Sequence, residues 1–317
     1  MIDNYGRNIN YLRISLTELC NLRCKYCMPE EGVPKKNHRE MMTREEIFSA
    51  VSAAAELGIN KIRLTGGEPL VKHGIVDLCA GVAAIPGITE VCMTTNGTLL
   101  SGFAKELKAA GVSRLNISLD TLDPDKYNDI TRLGKLSDAL EGIEAAMEAG
   151  FGRIKINVVL AKGFNDDEIA DFVQLTKDRD IEVRFIELMP IGDGIGFNRD
   201  QFISAEEVLR RVPQLVSLDK EDGVAKLYAL PGGKGRVGLI RPISCEFCAG
   251  CNKIRLTADG KLKPCLHSDQ EIHLKGLSKE EMRQTIKAAI LDKPENREEL
   301  DKINPSRAGR DMNQIGG

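Results

Sequence analysis

Three cysteines, Cys20, Cys24 and Cys27, are separated by three and then by two residues. They follow directly on the apolar, β-prone run Tyr11-Leu-Arg-Ile-Ser-Leu-Thr17, which puts them on a loop at the C-terminal end of a strand. An iron–sulfur cubane ordinarily takes one cysteine per iron. Three thiolates would leave one iron of a four-iron cube open to a small molecule. The same spacing is compatible with a zinc half-site or with three cysteines buried as small apolar residues. A second group, Cys245, Cys248, Cys251 and Cys265, lies far down the chain. Four thiolates could enclose a structural zinc or close an ordinary four-iron cluster. If only Cys248, Cys251 and Cys265 ligate, one iron is again left open, and spacing alone does not choose.

The remaining composition limits where such chemistry takes place. A chain of 317 residues can bury a large core as one domain with an appendage. Nine cysteines are an odd number, seven of them in the two groups, and Met1-Ile-Asp-Asn-Tyr-Gly-Arg7 lacks the apolar region of a signal peptide. Metal ligation in a reducing cytoplasm is therefore expected over disulfides. No apolar stretch approaches the ~18 residues of a membrane span. The net charge of −3 gives no sign of a nucleic-acid surface, so any anion site must come from a local cluster of Lys and Arg.

To position the first thiol loop, the chain alternates strand and helix signals. Thr43-Arg-Glu-Glu46 is a capping box that opens a helix running to Leu57. Strands are expected at Lys61–Thr65, Val91–Thr95, Arg114–Leu119, Ile154–Leu160 and Glu182–Leu188, with helices around Ile75–Ala84, Leu100–Ala110 and Ser137–Ala149 and one capped by Asn165–Glu168. Six strands joined by helices imply parallel βαβ units. The fold class read here is α/β, a partial TIM-type barrel of six units with an open side, where catalytic groups belong at the C-terminal strand ends. A flavodoxin-like open sheet is the alternative. The texture changes past residue 200, which divides the chain into a barrel at 1–200 and a C-terminal α+β extension at 201–317 covering the open side. Short strands dominate the extension, and Asp259-Gly260 between strand-like runs marks a hairpin that folds Cys265 back towards Cys251. Ser278-Lys-Glu-Glu281 opens a last helix, and the segment from Pro294 to Gly317 has little to bury.

Two sets of motifs carry a resemblance. Cys-x3-Cys-x-Tyr-Cys resembles the signature of the radical S-adenosylmethionine superfamily. Cys248-x2-Cys251-x13-Cys265, with Phe247, Asn252 and the hairpin Arg255–Gly260, resembles the C-terminal cluster site of the molybdenum-cofactor GTP 3′,8-cyclase family. The likeness extends to Arg13-x-Ser-Leu-Thr-x2-Cys20, Gly66-Gly67-Glu68-Pro69, Thr94-Thr-Asn-Gly97 and Met312-Asn-Gln-Ile-Gly-Gly317. It implies two 4Fe-4S clusters, on Cys20, Cys24 and Cys27 and on Cys248, Cys251 and Cys265, with S-adenosylmethionine as radical source. It also implies GTP as substrate, an unidentified electron donor and a downstream cyclic pyranopterin synthase, with the protein a monomer or homodimer.

By the same resemblance Tyr26, Gly66, Gly67, Glu68, Ser118 and Met189 match cofactor-contacting positions, the glycines because they allow close approach. Arg13, Arg63, Thr94, Lys155, Lys253, Ile254 and Arg255 match GTP-contacting ones. Most of these are cations, expected at strand ends or beside a cluster, and Arg and Lys make charge-assisted bonds to phosphate. Arg13, Lys253, Arg255, Gly316 and Gly317 match catalytic positions, the last two at the end of a mobile tail that threads a narrow opening. The implied reaction removes hydrogen from ribose C3′ and joins C3′ to guanine C8. Lys253 stands where the family usually has Arg, which removes a bidentate fork, and Cys245 is an additional thiol. A radical enzyme acting on a peptide, or a non-catalytic iron–sulfur or zinc protein, are the rival readings. The cations and the Gly-Gly end speak against the first, and Gly66–Pro69, which a carrier does not need, against the second.

Overall fold

The computed structural model describes residues 1–34, 36–192, 200–245, 247–297 and 306–316, with the backbone alone at 220–222. Six strands, β1 (Tyr11–Ser15), β2 (Lys61–Thr65), β3 (Glu90–Thr95), β4 (Val112–Ser118), β5 (Ile154–Leu160) and β6 (Ile181–Glu187), lie side by side in chain order and all parallel. Parallel neighbours need a crossover. These are α1 (Arg44–Glu56), α2 (Ile75–Ala83), α3 (Ala104–Ala109), α4 (Pro124–Thr131) with α5 (Leu136–Glu148), and α6 (Ile169–Asp178). Alternation along each strand separates two environments. In β1, Leu12 and Ile14 face the helices and join a core with Ile47, Val51, Ile62 and Leu64, while Tyr11 and Arg13 face a cavity inside the arc.

The C-terminal segment supplies β7 (Val216–Asp222), β8 (Ala225–Ala229), β9 (Arg236–Ile240), β10 (Lys253–Leu256), β11 (Lys261–Lys263) and β12 (Ile272–His273). It joins both edges of the six-stranded arc. Strand β9 pairs parallel with β6 and β10 parallel with β1, which makes eight adjacent parallel strands in an open sheet. Antiparallel β8 and β7 follow at one edge, β11 and β12 at the other. Because β10 runs with β1, the residues just before it, Cys248 and Cys251, sit where the strands begin, and Tyr11 N donates to Asn252 O at 3.2 Å. Strand β11 runs back, so Cys265 returns to the same end. The loop Cys20–Cys27 follows β1 and lies at the opposite end.

Local signals behave as their chemistry dictates. Thr43 with Glu46 and Ser278 with Glu281 form complete capping boxes, and the Asp259-Gly260 turn closes the β10–β11 hairpin with Gly260 at φ +78°. Asn165 does not cap a helix. Its carboxamide is drawn to Asp120 O and Val159 O, the next three residues are a 3-10 turn, and α6 starts at Ile169. Helix α4 lay between two stronger signals and gave no pattern of its own. The end of the chain also differs from expectation. Ala308, Asn313 and Ile315 are each 1% exposed, and the helix Met312–Ile315 is docked through Ile191, Met189 and Leu266 instead of projecting.

Glu187, the last residue of β6, ties the extension to the barrel. Its buried carboxylate accepts from Ala205 N, Ile243 N, Ser244 N and the Ser204 and Ser244 hydroxyls at 2.5–3.2 Å. Leaving buried N–H groups without acceptors costs about 1–3 kcal/mol each. Glu187→Ala is therefore expected to destabilise the protein by at least about 2 kcal/mol, read as a lowered urea midpoint. An unchanged midpoint would mean that the extension is held by its strand pairing alone.

Candidate active site

At the C-terminal strand ends the thiol loop is stitched to the loops after β2, β3 and β4. Gly67 N donates to Thr17 O and Glu68 N to Leu19 O, at 2.7 and 2.8 Å. A Cβ on Gly66 would lie 2.5 Å from Thr17 O, and one on Gly67 2.3 Å from Leu19 O. The two glycines are thus required first by the approach of their loop to the cysteine loop. Glu68 is fully buried, and its carboxylate accepts from Leu70 N, Thr95 Oγ1 and Asn96 N at 2.7–3.0 Å. Burial raises its pKa to about 7 against these hydrogen bonds. Both of its oxygens are engaged by the chain, which ties the start of the Asn96 loop to this one. Asn96 Nδ2 reaches Cys20 Sγ at 3.7 Å and Asn21 Oδ1 at 2.9 Å. Tyr26 OH donates to Asp120 Oδ2 at 2.5 Å, and Val159 N donates to Asp120 Oδ1. Asp120 carries no motif signal beyond ending a strand, and the sequence reading missed it. Ser118, which closes β4, stands opposite Asn157.

The thiols fit cluster ligation. Burial and their mutual charges push Cys24 well above the usual thiol value, and burial followed by Cys20 and Asp311 pushes Cys27 to about 12. Bare thiolates would repel one another here, and metal centres between them would offset that. N–H donors already face the sulfurs: Leu22 N to Cys20 Sγ at 3.3 Å, and Asn313 N to Cys27. Such hydrogen bonds tune iron–sulfur ligands. Among the described residues no three Cys, His, Asp or Glu side chains converge on a single-ion site, as a closed zinc site requires. At the other end, Arg7 donates to Cys248 O and Lys293 to Pro264 O. Burial raises the Cys251 thiol, but Lys293, the Lys253 N–H and the charges of Lys253 and Arg7 outweigh it and bring it below its usual value. Cys245 is exposed and does not line the cavity, unlike Cys248, Cys251 and Cys265.

Inside the arc lies a cavity of about 600 Å³, which Cys248, Cys251 and Cys265 line at the end where the strands begin. Arg13, Arg63, Thr94, Lys155, Met189, Lys253 and Arg255 all line it. Arg13, Arg63 and Arg255 stand on the inner faces of three neighbouring strands, where register pairs Arg13 with the other two, while Lys253 opens β10 beside Cys251 as expected of a cation at a strand end. Ile254, between two lining residues, alternates outward and is fully buried in the core. Tyr11 organises the crowd. Its ring lies 5.0 Å from Lys61 Nζ and 5.8 Å from Lys253 Nζ, and its hydroxyl accepts from Arg63 Nε. Thr94 Oγ1 accepts from Arg63 Nη1 at 3.1 Å. Lys155 is 3.5 Å from the buried carboxylate of Glu182, which also takes Arg184 Nε. Burial and the neighbouring Arg255 depress Arg13, and burial with Arg13 and Arg255 brings Lys253 to about 8. The site is short of negative charge.

The chain's end connects the two halves. Gly316 O accepts from Arg255 Nη1 at 2.6 Å and from Arg13 Nη2 at 3.3 Å, and Asn313 Nδ2 donates to Glu18 O. A Cβ on Gly316, at φ +73°, would lie 2.4 Å from Thr65 Cγ2, so the opening is as narrow as two residues without side chains suggested. Gly317 is outside the described residues. Arg310 anchors this segment, with both oxygens of Asp259 at 3.0 and 2.9 Å and Glu271 Oε2 at 2.8 Å. Charge-assisted bonds of this kind contribute about 1.5–3 kcal/mol each. Arg310→Ala is expected to raise amide hydrogen exchange over residues 308–316 by roughly tenfold or more while β1–β6 stay protected. Unaltered exchange in the tail would show that its apolar contacts suffice.

Comparison with known proteins agrees with this arrangement. The Radical SAM superfamily model matches residues 14–176, and the Molybdenum Cofactor Synthesis C model matches residues 181–301. A GTP 3′,8-cyclase of Alkaliphilus oremlandii is 53% identical over 100% of both chains, and one of Peptoclostridium acidaminophilum is 52% identical over 100% of this chain and 98% of its own. Among solved structures, Streptococcus suis SuiB bound to S-adenosylmethionine aligns with a TM-score of 0.60 over 84% of this chain and 63% of its own. At 16% identity that likeness bears on the fold alone. Matched from the first strand through the second thiol group, and more than half identical to such relatives along its whole length, the chain belongs to the GTP 3′,8-cyclase family of the radical S-adenosylmethionine superfamily.

Proposed function

We infer that this protein is a lyase that cyclises GTP to 3′,8-cyclo-7,8-dihydro-GTP, a step in molybdenum-cofactor biosynthesis. The observation that carries the reading is the cation-lined cavity against the second thiol group, with the docked glycine tail bonded to two of its cations. Cys20, Cys24 and Cys27 are the residues that would hold a four-iron cluster, which would supply one-electron chemistry to S-adenosylmethionine bound beside it. Cys248, Cys251 and Cys265 are the residues that would hold the second cluster.

The chain's own residues bind and orient. Arg13, Arg63 and Arg255 offer charge-assisted bonds to a triphosphate, which supplies the negative charge that the cavity lacks. Lys253 acts there as a point charge, held by burial and by the Tyr11 ring instead of a guanidinium fork. Gly316 O keeps Arg255 and Arg13 aimed into the space between the two ends. Tyr26, fixed by Asp120, and the loop carrying Gly66 and Gly67 frame the first thiol loop, where the cofactor would bind. Holding the reacting groups in one geometry can supply several kcal/mol of the barrier, and a walled cavity keeps water and side reactions out. We place the protein in a reducing cytoplasm, served by a one-electron donor and followed by a cyclic pyranopterin synthase, as a monomer or homodimer. Nine free cysteines support the first of these.

Anaerobic reconstitution tests the reading: S-adenosylmethionine should be cleaved faster with GTP than with ATP or a peptide. Cys24→Ala is expected to abolish that cleavage while keeping roughly half of the iron, because the two ligand sets lie at opposite ends of the strands. Cleavage retained in the variant would contradict the assignment of the first site. Deleting Gly316 and Gly317 should leave iron content and GTP affinity within about threefold of normal yet lower cyclisation by roughly 100-fold, since what is lost is orientation. Full turnover by the truncated protein would make the tail a passive terminus.

A further inference from the structure

One buried polar group in the cavity is left without a use by the assignments above. Asn116, in the middle of β4, is 6% exposed and lines the cavity wall. Its Nδ2 reaches Asn157 Oδ1 only at 3.5 Å, and its Oδ1 has no hydrogen-bond donor in the protein. A buried acceptor left in that state costs as much as a lost hydrogen bond, and in a ligand cavity the missing donor can come from the ligand.

The chemistry of a nucleoside triphosphate narrows which part of it this is. Phosphate oxygens accept and do not donate, and Arg13, Arg63 and Lys155 already face the cavity to serve them. The donors are the ribose hydroxyls and the N–H groups of the base. Position separates these two. Asn116 lies in register with Thr94 and Lys155, and one pleat, roughly 7 Å, along the same face of β4 from Ser118 at the cofactor end. The second thiol group flanks β10, four strands away in the sheet order. A base held at that group, by the iron that three thiols would leave open in a second cluster, puts Asn116 opposite the middle of the nucleotide.

We propose that Asn116 is the residue that reads the sugar of the substrate, accepting a hydrogen bond from the ribose 2′-hydroxyl, with Asn157 steadying its carboxamide. A hydroxyl both donates and accepts, so it satisfies the carboxamide whichever way the amide is turned. The contact makes the site selective for ribonucleotide over deoxyribonucleotide and fixes the face on which the neighbouring C3′ is presented. It rests on GTP being the substrate.

The test compares GTP with 2′-deoxy-GTP on the reconstituted full-length protein, by kcat/KM for cyclised product and by affinity in equilibrium dialysis. The native protein is expected to favour GTP by roughly tenfold or more in both. In Asn116→Leu, GTP should fall to the level of 2′-deoxy-GTP, with 2′-deoxy-GTP, iron content and S-adenosylmethionine affinity within about threefold of native. Native protein that binds both nucleotides equally overturns the proposal without recourse to any variant. So does Asn116→Leu that keeps the native preference, or that loses S-adenosylmethionine affinity, which would move the contact to the cofactor. Native protein that converts neither nucleotide but keeps the affinity ratio overturns the cyclase reading and leaves the sugar contact standing.

Discussion

Like charge confined at short range is the constraint on which this molecule depends. Arg13, Arg63, Lys253 and Arg255 stand on adjacent strands with their heads in one cavity, and burial has removed most of the water that would screen them. The fold tolerates this because Tyr11 places a ring among the cations and its hydroxyl on Arg63, while Gly316 O holds Arg255 and Arg13. Glu182 does the same for Lys155 and Arg184. Burial first, and the neighbouring arginines after it, depress Arg13 and Lys253, and a bound polyanion would offset both effects.

Strand direction converts that site into one for two-ended chemistry. In a parallel arc everything that follows a strand gathers at one end, which accounts for Cys20–Cys27, Gly66–Glu68, Asn96 and Asp120 meeting there. Strand β10, entering parallel to β1, brings the thiols that precede it to the opposite end. The sheet thus carries thiols at each end, acids (Glu68, Asp120 and Asp311) near the first set and cations (Arg7, Lys253, Lys293) near the second, where the cavity reaches them. The tail helix closes the circuit through Asn313 N on Cys27 and Gly316 O on Arg255.

What could be read from the residues follows from the range of the interactions involved. The capping boxes at Thr43 and Ser278 and the Asp259-Gly260 hairpin are settled within four residues, and all three form. The six βαβ units were legible because each repeats the same local pattern. The pairing of β9 with β6 and of β10 with β1 was not, since a four- or five-residue strand carries no mark of its partner. Among the site residues, Arg13, Arg63, Lys155 and Arg255 came from the resemblance and were expected at strand ends or beside a cluster; register puts them on inner faces, Arg255 close to the second thiol group. Ile254 was drawn in by its neighbours and alternation turns it away. Tyr11, Asp120 and Asn116 were missed because a lone aromatic, acid or amide on a strand is ordinary until its surroundings are known. The tail was misjudged for a related reason: Ala308 and Ile315 are few apolar residues, but they meet Ile191 from another part of the chain.

The central claim is that GTP occupies this cavity with its base against the second cluster site and its phosphates on the inner-face cations. The most direct measurement is the electron paramagnetic resonance spectrum of the reduced, reconstituted protein with and without GTP, the two cluster signals being told apart in Cys24→Ala and Cys251→Ala variants. The account predicts a change on adding GTP that is confined to the signal lost in Cys251→Ala. A GTP-induced change confined to the signal lost in Cys24→Ala, or no change in either, would contradict it.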